Sequence, residues 1–271
     1  MDDRAIGVFD SGLGGLTVVK ELSKIMANED IVYFGDTGRV PYGTRGDDTI
    51  RKYCASDIRF LESMNVKMIV AACGTASAVF DEKKHGVSLP YVSVLEPTAE
   101  AAARATKNGR IGVTGTAATI NSGAYKRELL RRNRDFLVDE KPCGLFVPLV
   151  ENGFFDKDNS IVKAVVREYL APFAGSGIDT MILGCTHYPL LKEAVRDFLG
   201  EGVTLIDSGE ETARHVKKLA ADMGLLSGRT DEGAKRYFVS DSADGFWKNA
   251  KIFLGEQTAE TVEYVSIDEI E

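Results

Sequence analysis

Two of the four cysteines, Cys73 and Cys185, directly follow short apolar runs that are typical of buried strands. Small and polar residues come next, so each thiol is expected where a strand ends and a helix begins. The positive end of a helix dipole lowers the pKa of such a thiol from about 8.5 towards neutrality. Both cysteines are therefore candidates for proton transfer, although the same pattern is compatible with inert packing.

A histidine and a carboxylate extend this set of candidates. His187 lies two residues after Cys185, close enough to exchange a proton with the thiol or with a bound substrate. Glu151 follows the run Val-Pro-Leu-Val and is compatible with either an exposed loop carboxylate or a residue of a cleft. Cys54 and Cys143 have no polar helper in the neighbouring sequence, and we interpret them as packing residues.

Residues 9–17 form a glycine-rich segment, Phe-Asp-Ser-Gly-Leu-Gly-Gly-Leu-Thr, after the first apolar run. A dinucleotide fingerprint would need a third glycine where Thr17 stands, and the chain has no Gly-Lys-Ser/Thr phosphate loop. The segment is compatible with a plain strand-to-helix turn. It is equally compatible with a turn that binds an anion or an amino acid, in which Asp10, Ser11 and backbone N–H groups would face the ligand.

Two further segments are rich in residues that form turns. Residues 36–43 contain too many of them for regular structure, so this loop is expected to offer backbone N–H groups and the Tyr42 hydroxyl to a ligand. Residues 115–119 are expected to be its counterpart in the second half of the chain, with the hydroxyls of Thr116 and Thr119.

These candidate residues are positioned by short apolar runs that alternate with longer segments of helical spacing. Such alternation predicts parallel sheets with crossover helices, an α/β fold. The predicted strands are Ile6–Phe9, Ile31–Gly35, Met68–Ala72, Tyr91–Val94, Arg110–Thr114, Leu145–Pro148, Met181–Gly184 and Thr204–Ile206. Predicted helices are Leu16–Met26, Asp47–Met64, Gly123–Arg132, Ser160–Gly175 and Leu190–Leu199.

The sequence also contains an approximate internal repeat. Residues 6–8 recur as 111–113, Val40–Pro41 recurs as Val147–Pro148, and residues 70–73 resemble 182–185. Such a repeat predicts two similar doubly wound α/β domains related by pseudo-twofold symmetry, formed by residues 1–95 plus 208–271 and by residues 96–207. Ligands of these sheets bind beyond the carboxyl ends of the strands. Cys73 and Cys185 are therefore expected on opposite walls of one interdomain cleft.

Composition restricts the partners of the protein. A net charge of −8 over 271 residues disfavours nucleic acid as the primary partner. No apolar run approaches the roughly 18 residues that span a bilayer, and the acidic start does not resemble a signal peptide, so we expect a cytoplasmic protein without membrane contact. The four cysteines stand singly, which disfavours both a disulfide framework and a zinc site, and no metal is expected.

Four segments together resemble the glutamate racemases of the Asp/Glu racemase superfamily. They are residues 9–17, 35–43, 72–77 and 183–191, which span most of the chain in the expected order. The resemblance implies two α/β domains with the active site between them, no cofactor, glutamate as the substrate and a possible homodimer. A role in supplying D-glutamate for peptidoglycan is implied in the same way.

The resemblance also implies roles for individual residues. Catalysis would use Cys73 and Cys185, with assistance from Asp10, His187 and Glu151. Residues implied in substrate binding are Asp10, Ser11, Pro41, Tyr42, Gly43, Gly74, Thr75, Thr116, Thr119, Thr186 and His187. One departure stands out, because the family usually has Asn where this chain has Gly74, which can offer only its backbone N–H. Substrate affinity is expected to differ as a result.

Two thiols on opposite walls would support racemisation by two bases. One removes the α-hydrogen from one face of the substrate and the other returns a proton to the opposite face, so one must begin as thiolate and the other as thiol. The resemblance assigns Cys73 to the D-enantiomer and Cys185 to the L-enantiomer. Two alternatives remain open: a racemase of another amino acid, such as aspartate, and a two-lobed amino-acid-binding protein without catalysis.

Overall fold

The structure, a computed structural model, describes residues 1–255 and 261–266. Within these ranges the chain forms strands and helices in regular alternation. The strands are β1 (Ile6–Asp10), β2 (Ile31–Gly35), β3 (Met68–Ala71), β4 (Tyr91–Ser93), β5 (Arg110–Gly115), β6 (Leu137–Pro142), β7 (Thr180–Leu183), β8 (Thr204–Asp207), β9 (Lys235–Val239) and β10 (Val262–Tyr264). The α-helices are α1 (Leu16–Ile25), α2 (Asp47–Ser63), α3 (Gly74–Val79), α4 (Leu95–Ala105), α5 (Ala117–Asn121), α6 (Ala124–Arg132), α7 (Phe146–Glu151), α8 (Ser160–Leu170), α9 (Lys192–Leu199), α10 (Ser208–Asp222) and α11 (Ala243–Leu254).

These strands form two parallel sheets, which confirms the predicted α/β fold. One sheet has the order β10-β9-β2-β1-β3-β4 and the other has the order β6-β5-β7-β8. The central strands β1, β3, β5 and β7 are almost entirely buried, as expected for parallel strands covered by helices on both faces. The helices bury one apolar stripe each; α1, for example, packs Leu16, Val19 and Leu22 into the core.

The order β2-β1-β3-β4 in the first sheet matches β6-β5-β7-β8 in the second. Ile6 pairs with Met68 in the first sheet, and Ile111 pairs with Thr180 in the second. If β5 is aligned with β1 at an offset of 105 residues, these registers put β7 at an offset of 112 from β3. Cys185 is offset from Cys73 by the same 112 residues. The two cysteines therefore end equivalent strands.

One member of the predicted repeat is wrong. Val147–Pro148 lies in helix α7, whereas Val40–Pro41 lies in a loop and is joined by a cis peptide bond. The predicted strand Leu145–Pro148 is wrong for the same reason. Phe146 and Val150, four residues apart, are both buried on one side of α7, and Pro148 stands in the first turn, where a missing N–H is tolerated.

The strand that fills this place in the second sheet is β6, which the sequence patterns did not indicate. Only Val138 of its six residues is buried, because β6 is the edge strand. The other seven predicted strands are present, with ends shifted by at most one residue. The sequence patterns also did not indicate β9 and β10 at one edge of the first sheet, or helices α10 and α11.

Strands of the second sheet come from residues 110–207, and the first sheet takes its strands from residues on both sides of that range. The domain limits 95/96 and 207/208 stay a prediction, and residues 256–260 and 267–271 of the predicted first domain lie outside the described residues. No helix in the described part of the chain is long and apolar enough to cross a membrane.

Candidate active site

A cavity of about 420 Å³ lies where the turns after β1, β3, β5 and β7 meet. It is lined by residues of both sheets, as expected for ligand sites beyond the carboxyl ends of parallel strands. Among the predicted site residues, those that line it are Asp10, Ser11, Pro41, Tyr42, Gly43, Cys73, Gly74, Thr75, Thr116, Glu151, Cys185, Thr186 and His187. Thr119 is the predicted residue that does not line it.

Cys73 caps helix α3 at the end of β3. Its sulfur accepts a hydrogen bond from the Ala76 N–H at 3.5 Å, and the thiol donates to Ser11 Oγ at 3.5 Å. Burial and the nearby Asp10 carboxylate raise the pKa of Cys73 to about 12, against the lowering effect of these two hydrogen bonds. Cys73 is therefore a thiol at neutral pH, contrary to the lowered pKa expected from its helix-start position.

Cys185 follows β7, and its surroundings differ from those of Cys73. Its sulfur lies 3.8 Å from His187 Nδ1, and His187 Nε2 lies 2.9 Å from Glu151 Oε1. Burial lowers the pKa of His187, but the hydrogen bonds to Cys185 and Glu151 outweigh it and raise that pKa to about 10. The His187 ring is therefore an imidazolium at neutral pH, held between a sulfur and a carboxylate.

Glu151 is the last residue of α7, and its side chain is 35% exposed at the cavity. Glu151 therefore lies at the cavity, with its side chain partly in solvent. Asp10 is almost completely buried, and its Oδ2 accepts from the Gly12 N–H at 2.8 Å. Burial raises the pKa of Asp10, and the charge of His187 opposes that rise.

Glycines allow the turns of the two sheets to touch. A β-carbon on Gly14 would lie 2.3 Å from Thr186 Oγ1 and 2.5 Å from His187 Nδ1. A β-carbon on Gly74 would lie 2.5 Å from the Gly184 carbonyl oxygen. Both distances are far shorter than a van der Waals contact. A side chain at position 14 would require the side chains of Thr186 and His187 to move, and one at position 74 would require the backbone to move. Glycine at position 74 therefore allows a closer approach of the two turns than Asn would.

Two sequence expectations need correction. The Tyr42 hydroxyl is buried and binds Asp36 Oδ2 and, at 2.9 Å, Asp57 Oδ2, so it is not available to a ligand in the cavity. Thr119 is fully buried behind Thr116, whose Oγ1 it contacts at 2.9 Å. Thr119 thus holds Thr116 rather than lining the cavity.

Several cavity residues were not predicted. They are Gly12, Leu13, Val40, Thr44, Ala117, Gly144, Val147, Pro148 and Tyr188. Most are apolar or glycine and carry no chemical signal in the sequence, although Tyr188 directly follows His187. The Tyr188 hydroxyl donates to the Cys143 carbonyl at 2.8 Å and so ties the start of the α7 segment to the Cys185 turn. Cys54 and Cys143 are fully buried and do not line the cavity.

Comparison with known proteins identifies the family of this chain. Residues 6–216 match the sequence model of the Asp/Glu/Hydantoin racemase family. The glutamate racemase of Geobacter metallireducens is 46% identical over 253 residues, which are 93% of each chain. A crystal structure of glutamate racemase from Francisella tularensis in complex with D-glutamate superimposes with a TM-score of 0.91 at 38% identity, covering 99% of this chain and 100% of that one. Glutamate racemase isoform RacE1 from Bacillus anthracis gives a TM-score of 0.93 at 36% identity, covering 98% and 99% of the two chains. The chain belongs to the Asp/Glu/Hydantoin racemase family.

Proposed function

We propose that this chain interconverts L- and D-glutamate by proton transfer between two thiols, Cys73 and Cys185. The observation that carries the proposal is that these cysteines end equivalent strands of two sheets and line one cavity. Racemisation needs a base on each face of the α-carbon, and this arrangement supplies a sulfur on each wall.

The protonation states of the two walls fit such a cycle. The hydrogen bonds around His187 favour its imidazolium form, in which Nδ1 carries a hydrogen and can only donate. We therefore propose Cys185, whose sulfur accepts from that N–H, as the base that starts the cycle. Cys73 keeps its proton, because burial and Asp10 raise the pKa of Cys73 to about 12. The resting enzyme thus has one base and one acid in place.

The proposed reaction moves two protons. The Cys185 thiolate takes the α-hydrogen from one face, and the electron pair of that C–H bond stays on the substrate as a carbanion. The Cys73 S–H bond then breaks, its proton forms the new C–H bond on the opposite face, and Cys73 is left as thiolate. The reverse reaction begins from that state. By the family assignment, the resting enzyme is ready for L-glutamate.

The carbanion is the costly species, because an α-hydrogen beside a carboxylate is very weakly acidic. Preorganised donors that face the substrate carboxylate lower its energy. Candidates in the cavity are the hydroxyls of Ser11, Thr75 and Thr186 and the backbone N–H groups of the surrounding turns. Thr75 Oγ1 lies 3.0 Å from Thr116 Oγ1 across the contact between the two sheets, so substrate contacts at this point would involve both walls.

We propose glutamate as the substrate and not aspartate, because the relatives named above are glutamate racemases and this chain matches nearly their full lengths. Circular dichroism of L-glutamate and of L-aspartate with the purified protein tests the choice. Loss of optical activity for glutamate supports it, and inversion of aspartate with unchanged glutamate contradicts it.

A protein that only binds amino acids is distinguished by isotope exchange. In D₂O, with no added cofactor, the proposed reaction replaces the α-hydrogen of glutamate by deuterium. We expect mass spectrometry to show one deuterium per molecule, whereas a binding protein would leave the substrate unlabelled. A homodimer, a cytoplasmic location and a role in peptidoglycan supply remain proposals that rest on family membership.

A further inference from the structure

A buried polar network lies directly behind the cavity. Four side chains form it, and we call them the loop anchor: Asp36, Arg39, Tyr42 and Asp57. All four are at most 7% exposed, although the set contains two carboxyls and a guanidinium. Charged groups are rarely buried to this degree unless they are paired.

Each member of the loop anchor contacts at least two others. Arg39 Nε donates to Asp36 Oδ2 at 2.7 Å, and Arg39 Nη2 donates to Asp57 Oδ1 at 2.8 Å. The Tyr42 hydroxyl bridges the other oxygen of Asp57 and the same oxygen of Asp36. Ser240, after β9, donates to the second oxygen of Asp36 at 2.7 Å. The anchor thus connects the end of β2, helix α2 and the edge of the first sheet.

The segment 40–44 follows Arg39 and contains Tyr42, and every one of its residues lines the cavity. Val40 is 44% exposed, so its side chain gives this wall little packing support. The fixed points are Arg39 at one end and the Tyr42 side chain near the middle. Asp36, Arg39 and Asp57 do not line the cavity themselves.

The hydrogen count restricts how the two carboxyl contacts of Tyr42 can be protonated. A tyrosine hydroxyl has one hydrogen, so it donates to only one of its two carboxyl contacts, and the other carboxyl must bring a hydrogen of its own. Burial and the neighbouring Asp36 raise the pKa of Asp57 well above its usual range. We therefore assign Asp57 as the carboxyl that donates to Tyr42, while Tyr42 donates to Asp36, which also accepts from Arg39.

We propose that Asp36, Arg39 and Asp57 are positioning residues, which act through the Tyr42 hydroxyl to hold the 40–44 wall where it contacts glutamate. This inference rests on the proposed function for its substrate. The anchor gives Tyr42 a role that differs from a direct hydroxyl contact with the ligand. It also predicts that a neutral amide is accepted at position 57.

The test compares four variants by KM and kcat in both directions. Tyr42→Phe removes both hydroxyl contacts of Tyr42, and Asp57→Leu removes the contacts of Asp57 with Tyr42 and Arg39. For each variant we expect KM to rise by at least about tenfold, the effect of one lost buried hydrogen bond, with kcat within about threefold of wild type. The double variant should show no further rise in KM, because both changes release the same wall. Asp57→Asn should keep KM within about twofold, since its amide donates to Tyr42 and its carbonyl accepts from Arg39.

Tyr53→Phe is the matched control. The Tyr53 ring lies 5.3 Å from the Tyr42 ring and under the Arg39 guanidinium, but its hydroxyl binds neither carboxyl. Removing that hydroxyl should leave KM unchanged. Two outcomes overturn the proposal. One is a KM increase in the double variant that equals the product of the two single increases, which would mean that Tyr42 contacts the substrate directly. The other is an increase in KM for Asp57→Asn as large as that for Asp57→Leu.

Amide hydrogen exchange of residues 38–45 gives a second readout that does not depend on turnover. Tyr42→Phe should speed exchange in this segment, while Tyr53→Phe should not. If the wild type fails to racemise glutamate, the proposed function is wrong, but the exchange result still decides whether the anchor holds the wall. Unchanged exchange in Tyr42→Phe would contradict the anchor itself. All variants are measured well below their unfolding temperatures. If Asp57→Leu does not fold, the results for Tyr42→Phe still test the proposal.

Discussion

The walls around Cys73 and Cys185 are built on equivalent strands but surround their sulfurs differently. Cys73 lies beside a buried carboxyl group and a serine hydroxyl. Cys185 lies beside a histidine that is itself bound to a carboxylate. The Cys73 wall favours a neutral thiol, because burial and Asp10 raise the pKa of Cys73, and the Cys185 wall places an imidazolium beside its sulfur. In the cycle we propose, the fold supplies two equivalent positions and these neighbours decide which sulfur starts as base.

The largest effect is expected from removing either sulfur. Cys73→Ser and Cys185→Ser should each lower racemisation by at least about 10³-fold, because a serine hydroxyl is a far weaker acid–base group near neutral pH. Polarimetry from each enantiomer measures this loss. Cys54→Ser and Cys143→Ser are the controls, and their turnover should stay near wild type. Full turnover in either of the first two variants would contradict the two-base cycle.

A smaller effect is expected from breaking the pair that supports Cys185. Glu151→Gln removes a carboxylate that helps to raise the pKa of His187 to about 10, so that pKa should fall. If activity depends on the imidazolium, the alkaline limb of the pH–rate profile should then move to lower pH. We expect kcat to drop by about tenfold, within the range for one assisting group. A pH–rate profile identical to wild type would show that Glu151 does not act through His187.

The Cys73 wall is tested by Asp10→Asn. The buried carboxylate opposes ionisation of the thiol, so its removal should lower the pKa of Cys73. Alkylation of Cys73 by iodoacetamide, followed against pH by mass spectrometry in the Cys185→Ser background, should therefore begin at lower pH than in Cys185→Ser alone. Ser11→Ala, which removes a hydrogen bond that lowers this pKa, should shift alkylation to higher pH. If both variants moved the alkylation of Cys73 in the same direction of pH, the opposite effects assigned to Asp10 and Ser11 would be refuted.

The smallest effect on activity is expected from a change at the contact between the two walls. Gly74→Ala puts a β-carbon 2.5 Å from the Gly184 carbonyl oxygen, so the turns must separate. We expect a stability loss of about 1–3 kcal/mol, typical of overpacking, and a fall in kcat/KM. That fall must be equal in the two directions, because the two enantiomers have equal free energy. Calorimetry and kinetics measure these effects. Wild-type stability together with wild-type kcat/KM would contradict a close contact between the two turns at Gly74.

Much of this arrangement could be predicted from the sequence, because parallel strands carry continuous apolar runs. The offset between residues 70–73 and 182–185 was enough to pair the two cysteines. The edge strand β6 gave no such signal, since solvent covers most of its side chains. Val147–Pro148 resembled Val40–Pro41 in letters, but the burial of Phe146 and Val150 made it helical.

Individual polar groups were harder to place than strands. The sequence predicts Tyr42 in a binding loop with its hydroxyl towards a ligand, whereas in the structure that hydroxyl faces Asp57 on α2. The pKa of Cys73 was expected near neutrality from the helix dipole alone, yet burial and Asp10 dominate it. In both cases the deciding partner is distant in sequence, so local patterns could not reveal it.

The matching strand order of the two sheets also has an evolutionary meaning. A chain made of two similar halves is what the fusion of two copies of a shorter gene leaves behind. In a symmetric dimer of such halves, each copy would contribute one sulfur to a shared site on the twofold axis. A site of that symmetry presents the same group to both faces of a planar carbanion, and the mirror-image products of racemisation are its natural outcome. After such a fusion each half could change alone, and different partners for Cys73 and Cys185 are what such independent change would produce.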